Sequence, residues 1–232
     1  MFFDPMYFVF VLPALLLGLW AQAKVRMAYS QYTKVASERG LTGMEAAESL
    51  LRANGLATVG IEGTSGQLTD HYDPRNKKLY LSRDVAYGRS VAGLSIVAHE
   101  VGHAVQDATN YGPLKLRSGI VPMVQFSAAL GPILFFAGFL FQSTGLATVG
   151  LLLFSASAVF ALVTLPVERN ASARALLMLR SNGMIMERQE EVGARRVLDA
   201  AALTYVAALV QVVATLVYYA FLLSGMGGRR RR

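Results

Sequence analysis

SGIVPMVQFSAALGPILFFAGFLFQSTGLATVGLLLFSASAVFALVTLPV, residues 118–167, runs for fifty positions without an Asp, Glu, Lys or Arg. A helix needs about 20 residues to cross a hydrocarbon core of roughly 30 Å, so this run is too long for one crossing and fits two. Gln142-Ser143-Thr144-Gly145 supplies the turn between them, and Gly131-Pro132 lies inside the earlier crossing as a candidate kink. Two further uncharged runs flank this hairpin at a distance, 5–23 and 200–228, the second apolar over 201–223. The pattern predicts four helical spans near 5–23, 120–141, 146–167 and 201–223. Composition agrees: 54% of residues are hydrophobic and 16% charged, too apolar for an ordinary soluble domain. Ala21-Gln22-Ala23 has the form of a signal-peptidase site, but Asp4 precedes the apolar run while Lys24 and Arg26 follow it. That is the reverse of a signal peptide, so the first span is expected to be retained.

The net charge is +7, yet the basic residues gather at span ends, where they orient a membrane protein, and nucleic acid is not expected as a partner. Four spans return residues 24–119 and 168–200 to one side. Those two loops hold 18 of the 22 Lys and Arg, which the positive-inside rule places in the cytoplasm. The expected protein is therefore mainly α and polytopic, embedded in a bilayer. Its parts are a first span (1–25), a membrane-surface segment (26–118), a transmembrane hairpin (119–167), a helical segment (168–200) and a fourth span with a basic tail (201–232). The absence of cysteine excludes a disulfide framework and any thiolate metal site.

Within 26–118, a helical pattern continues from the first span through 29–38 and stops at Gly40. Thr42-Gly43-Met44-Glu45 spells a capping box opening a helix that Asn54-Gly55 closes. GQLTDHYDPRNKKLYLS (66–82) holds two short alternating runs around the turn signal Asp73-Pro74-Arg75-Asn76 and predicts a β-hairpin. Ser82 and Asp84 suit a helix start, and a longer helix is expected from near Ser90 to about Asp107.

That last helix contains AHEVGHAVQ (98–106). His99 and His103, two of only three histidines, stand four apart on one helical face and can turn nitrogens to one ion. Glu100 beside them is placed to act as general base toward a zinc-activated water, the zincin arrangement. A catalytic zinc takes three protein ligands and leaves one position open. No later histidine follows His103 in the helix, which leaves three candidates for the third ligand. Glu168 lies just past the third span, returned to the same side, with Ser172 on its helical face and Asn170 between them as supporting groups. Asp199, in Leu198-Asp199-Ala200, would instead suit a site-2-type intramembrane protease. His71, on the hairpin, suits a substrate-facing or transition-state-stabilising role better than ligation. Tyr72 and Asp73 are candidate substrate contacts, because a peptide could add to the hairpin as a strand. Arg174 is a candidate for stabilising an oxyanion or pairing with Glu168.

DHYDPRNKKLYLS with AHEVGHAVQ, together with LPVERNASARAL (165–176), resembles the bacterial membrane zinc metallopeptidases of the YugP-like group, a family assigned as neutral zinc peptidases largely on its motif. The resemblance spans most of the chain. It implies His99 and His103 as ligands, Glu100 as base and Glu168 as third ligand, with one Zn²⁺ per chain. The typical family segment has an aromatic residue where this chain has Arg169. The order of parts is also similar to HtpX-type membrane proteases, an analogy that implies a cytoplasmic site acting on peptides or membrane proteins. The expectation is a Glu-zincin endopeptidase. A catalytically silent membrane scaffold holding a closed, four-ligand zinc is the alternative.

Overall fold

The structure, a computed structural model, describes residues 5–229 and the side chains of 5–226. Asp4 and the last three residues of the basic tail, which bear on topology, lie outside the described residues. In order the elements are α1 (Pro5–Phe10), α2 (Leu12–Tyr32), α3 (Gly43–Ala53), β1 (Gly60–Thr64), β2 (His71–Asp73), β3 (Lys78–Ser82), α4 (Arg83–Tyr87), α5 (Val91–Ala108), α6 (Gly112–Leu140), α7 (Thr144–Ser181) and α8 (Arg188–Arg229).

Four helical stretches are long and apolar enough to cross a membrane: Pro5–Tyr32, Gly112–Leu140, Thr144–Ser181 and Arg188–Met226. The first contains the short break at Val11. Pro13 has no N–H to give to Val9, but Leu15 N still donates to Val11 O at 2.9 Å and carries the helix through. The helices outrun the apolar segments because nothing breaks them where charges begin. The extension after the first span is shorter than expected, however. α2 ends at Tyr32, not near Gly40, because the following residues pair with the segment before α5: Val91 N donates to Val35 O (3.0 Å) and Ser37 N to Arg89 O (2.8 Å).

The chain forms two compact units. One comprises Met1–Ala21, Leu116–Leu165 and Thr204–Arg232. Its α6 and α7 approach through glycines. A Cβ on Gly138 would lie 2.3 Å from Ala147 N, one on Gly150 2.3 Å from Phe135 N, and one on Gly131 2.8 Å from Phe154 N. Without a hydrophobic force between helices in lipid, such small residues are what allow close backbone packing. Phe135 then stacks on Tyr219 with ring centroids 4.2 Å apart. Gly131 thus serves close approach, and Pro132 stays inside a continuous α6. The turn to α7 is as short as expected, with Gln142 at φ +52°.

The other unit comprises Gln22–Lys115 and Pro166–Leu203. Its helix starts follow the sequence signals. Thr42 Oγ1 accepts from Glu45 N (3.2 Å) while the Glu45 carboxylate takes Thr42 N (2.7 Å), and Ser90 Oγ accepts from Gly93 N (3.1 Å). Gly55 closes α3 at φ +71°. The expected hairpin is β2–β3, antiparallel, with Tyr72 opposite Leu79. Asp73 holds its turn by accepting from Arg75 N (2.8 Å) and Asn76 Nδ2 (2.6 Å). β1 adds in parallel on the far side of β3, giving the order β1-β3-β2. β3 is therefore central and β2 is an edge. Ser82 caps α4 through no side-chain bond. Its hydroxyl and amide instead bind Asp70. Leu50, Leu79, Leu81, Leu94, Val97, Val101 and Leu179 form the centre of the core, each at most 1% exposed. At about 1.5–3 kcal/mol per fully buried side chain, this packing fixes α5 against α3, β3 and α7.

Candidate metal centre

α5 presents His99 and His103 one turn apart, their rings 4.8 Å between centroids and nearly perpendicular. Gly102, between them, faces α7: a Cβ there would sit 2.8 Å from Ala171 O. The missing side chain brings α7 onto α5, and α7 delivers Glu168, which is 2% exposed. Glu168 Oε2 lies 3.2 Å from His99 Nε2 and 3.4 Å from His103 Nε2. One ligand atom from each of the three residues falls within 4.8 Å of the others, the one such group of His, Cys, Asp and Glu among the described residues. Arg169 is exposed whereas Glu168 is buried, and the residue that replaces the family's aromatic is not part of the three-residue group.

The Nδ1 atoms of the two histidines are engaged elsewhere. His99 Nδ1 meets Ser172 Oγ at 3.1 Å, and His103 Nδ1 meets Gln106 Oε1 at 3.0 Å. Both Nε2 atoms are thereby left to face Glu168. Two imidazole nitrogens and one carboxylate, each histidine oriented by a partner, make the donor set of a catalytic zinc.

Glu100 is held by the edge strand: Tyr72 N donates to Glu100 Oε2 at 3.0 Å. Tyr72 also donates its hydroxyl to Asp107 Oδ2 (2.7 Å), two helical turns further on, and Lys77 Nζ reaches the same oxygen. One tyrosine thus straps β2 along α5. Burial raises the Glu100 carboxyl above its ordinary value, against the pull of His99 and His103. Burial opposes charge on His103, but its hydrogen bond to Glu168 and the carboxylates of Glu100 and Glu168 outweigh it and raise the imidazole. The surroundings therefore favour positive charge on His103. Burial and Asp107 push the Tyr72 phenol up, so it is a hydrogen-bond donor at any physiological pH.

His71 is exposed on β2, stacked on Tyr80 at 4.7 Å, with Nδ1 donating to Thr69 O at 2.8 Å. In its neutral form this leaves a lone pair on Nε2, and only the protonated ring could donate to an oxyanion. Arg174 gives its Nε to Asn170 Oδ1 at 2.8 Å. Asp73 is used in the hairpin turn. Asp199 lies apart from the cluster, exposed in a groove between α2 and α8 lined also by Lys24, Gln31 and Arg196. Gln106 and Asp107 were not singled out from the sequence. A glutamine one turn past a ligand-type histidine, inside an apolar helix, is the sign that could have found Gln106.

A family model described as "Putative neutral zinc metallopeptidase" matches residues 7–224. The chain belongs to this family. Among curated proteins it is 48% identical over 204 residues to "Putative membrane protease YugP" of Bacillus subtilis (strain 168), covering 88% of this chain and 90% of that protein. No solved structure matches. The family's description implies zinc, His99, His103 and Glu168 form a group that could hold a metal ion, and the relative's name accords with four helices of membrane-crossing length.

Proposed function

We propose that the chain is an integral membrane zinc endopeptidase of the Glu-zincin type, with His99, His103 and Glu168 as ligands and Glu100 as general base. The observation that carries this is the convergence of His99 Nε2, His103 Nε2 and Glu168 Oε2 beside Glu100. Three protein ligands leave the fourth position of a tetrahedral ion for water or substrate. Zinc bound there supplies Lewis acidity toward a water and the scissile carbonyl. Glu100 takes the proton of the attacking water as the new C–O bond forms, and returns it to the amine as the C–N bond breaks. Its Oε2 is steadied by Tyr72 N, and Oε1 meets no protein donor among the described residues, which suits it to receive that proton. The substrate runs as an extended strand beside β2, past Tyr72 and Asp73, and is a peptide segment of a protein or membrane protein. The charge distribution favours a cytoplasmic site.

Zinc per chain in detergent-purified protein is the test. Wild type should hold about one zinc, Glu168→Ala should lose most of it, and Glu100→Gln should keep it while losing cleavage. Retention by Glu168→Ala removes Glu168 as ligand, and cleavage by Glu100→Gln removes the general base. A hydroxamate inhibitor needs the open position, so failure to bind it would favour a closed scaffold site.

A further inference from the structure

We propose that the groove between α2 and α8 binds the headgroup of an aminophospholipid, with its phosphate on Lys24 and its ammonium on Asp199. The groove encloses about 570 Å³, within the roughly 300–1,000 Å³ of small-molecule sites. Its level in the membrane follows from the sequence. Lys24 is the first charged residue after the uncharged run 5–23, and Asp199 is the last before the run 200–228. Both helices therefore leave the hydrocarbon at the groove, where lipid headgroups lie. Two contacts fix the register of the helices. Arg196 Nη1 donates to the Tyr32 hydroxyl at 3.1 Å, and a Cβ on Gly193 would stand 2.7 Å from Tyr32 Cδ1. α2 runs out of the membrane and α8 runs into it. At a rise of about 1.5 Å per residue, Lys24 stands about 12 Å nearer the membrane than Tyr32, Leu203 about 10 Å nearer than Arg196, and Asp199 about 4.5 Å nearer than Arg196. The groove thus rises from apolar Leu203 and the level of Lys24 to Asp199 and then Arg196.

The order cation, anion, cation selects the ligand. Arg196 stands one helical turn before Asp199 but turns to Tyr32, and the Asp199 carboxylate has no hydrogen-bond or ion-pair partner among the described residues. A ligand that is only an anion would meet repulsion from Asp199. The carboxylate calls for a ligand with a positive charge and N–H donors of its own. A phosphodiester joined through two carbons to a primary ammonium carries both charges, and the bilayer delivers it to this level. Long basic side chains at span ends lift their charge toward the headgroups, which brings the Lys24 ammonium closer to the height of Asp199. This gives Asp199 a task apart from the metal centre, in place of the ligand role considered from the sequence. α2 leads into residues 35–37, whose backbone pairs with residues 89–91 before α5, so the bound headgroup would lie one short segment from the helix that carries His99.

The inference rests on the membrane reading and not on zinc. Native mass spectrometry of the full chain in detergent counts bound lipids. The probes are phosphatidylethanolamine, phosphatidylcholine and phosphatidylglycerol with identical acyl chains. The second keeps the phosphate and offers a cation without N–H, and the third keeps the phosphate and has no cation. Wild type should retain phosphatidylethanolamine about tenfold better than either of the others. Asp199→Asn should erase that preference, and Lys24→Gln should weaken retention of all three. Asp199 is exposed, so Asp199→Asn should unfold thermally as wild type does when no lipid is added. Equal retention of the three lipids by wild type overturns the inference without any variant. So does an unchanged preference in Asp199→Asn. A preference for phosphatidylglycerol overturns the ammonium assignment and makes the groove a plain anion site. If soluble glycerophosphoethanolamine displaces bound phosphatidylethanolamine as well as the lipid itself does, the bilayer is not the source and the lipid assignment falls.

Discussion

Gly102→Ala adds one methyl group where α5 meets α7. On helix propensity alone the change should stabilise α5 by about 0.5–1 kcal/mol. The structure reverses that sign. The new Cβ would stand 2.8 Å from Ala171 O and 3.3 Å from Ala171 Cα, and these are backbone atoms with no rotamer to yield. Relief requires α7 to retreat by several tenths of an ångström, and Glu168 and Ser172 retreat with it. Metal sites tolerate ligand displacements of only about 0.2 Å, so the retreat is large on the scale that matters. Overpacking of this kind typically costs about 1–3 kcal/mol. If the metal-free protein relaxes and the loaded protein cannot, that cost appears as zinc binding weakened by roughly 10–100-fold, at about 1.4 kcal/mol per factor of ten. Chelator competition measures it, with thermal unfolding recorded with and without zinc to catch strain that stays in the fold. Gly119→Ala is the control, since a Cβ there meets nothing within 4 Å. A Gly102→Ala protein with wild-type zinc affinity and wild-type unfolding in both states would refute the role of this contact.

Tyr72→Phe removes the hydroxyl that Asp107 accepts and leaves the amide on Glu100. It should cost about 1 kcal/mol of stability and raise KM for peptide while zinc content holds, a split that steady-state kinetics and metal analysis resolve. Thr42→Ala removes the α3 cap and should cost about 1 kcal/mol in thermal unfolding. Hydrogen bonds from Thr42 also hold the Glu45 carboxyl below its ordinary 4.5, so their contribution is present above about pH 4.5 and lost as the pH falls through the depressed value. The variant's stability should fall less steeply over that acid range than wild type's. Because the chain has no cysteine, single substitutions report sidedness cleanly. Arg75→Cys and Asn182→Cys should resist a membrane-impermeant maleimide in intact cells while Gln142→Cys reacts, and the opposite pattern would place the site outside.

The spans were legible because an uncharged run has few other readings, and α3 and α5 because Thr42, Ser90 and Gly55 are strong local signals. β1 was not, because Gly60-Ile61-Glu62-Gly63-Thr64 has two glycines and no alternation. It becomes a strand only by lying parallel to β3. The end of α2 was missed for the same kind of reason: the bonds of Val35 and Ser37 go to residues more than fifty positions away. At the site, helical spacing pairs His99 with His103, and Glu168 was reachable by counting crossings. Gln106 and the strap from Tyr72 to Asp107 were not, since each depends on which groups tertiary packing leaves facing one another.

β2 is only three residues long. If a substrate pairs there as proposed, at about 0.5–1.5 kcal/mol per net hydrogen bond so short an edge would hold a passing peptide with no more than a few kcal/mol, an affinity near the millimolar range. On the proposed reading, a substrate anchored in the same bilayer would reach such concentrations by confinement more readily than a free peptide. Selection under these conditions rests less on sequence recognition than on shared residence and on the ability to offer a locally unfolded segment. A soluble peptide should then be cut poorly, and the same peptide fused to a membrane anchor cut well.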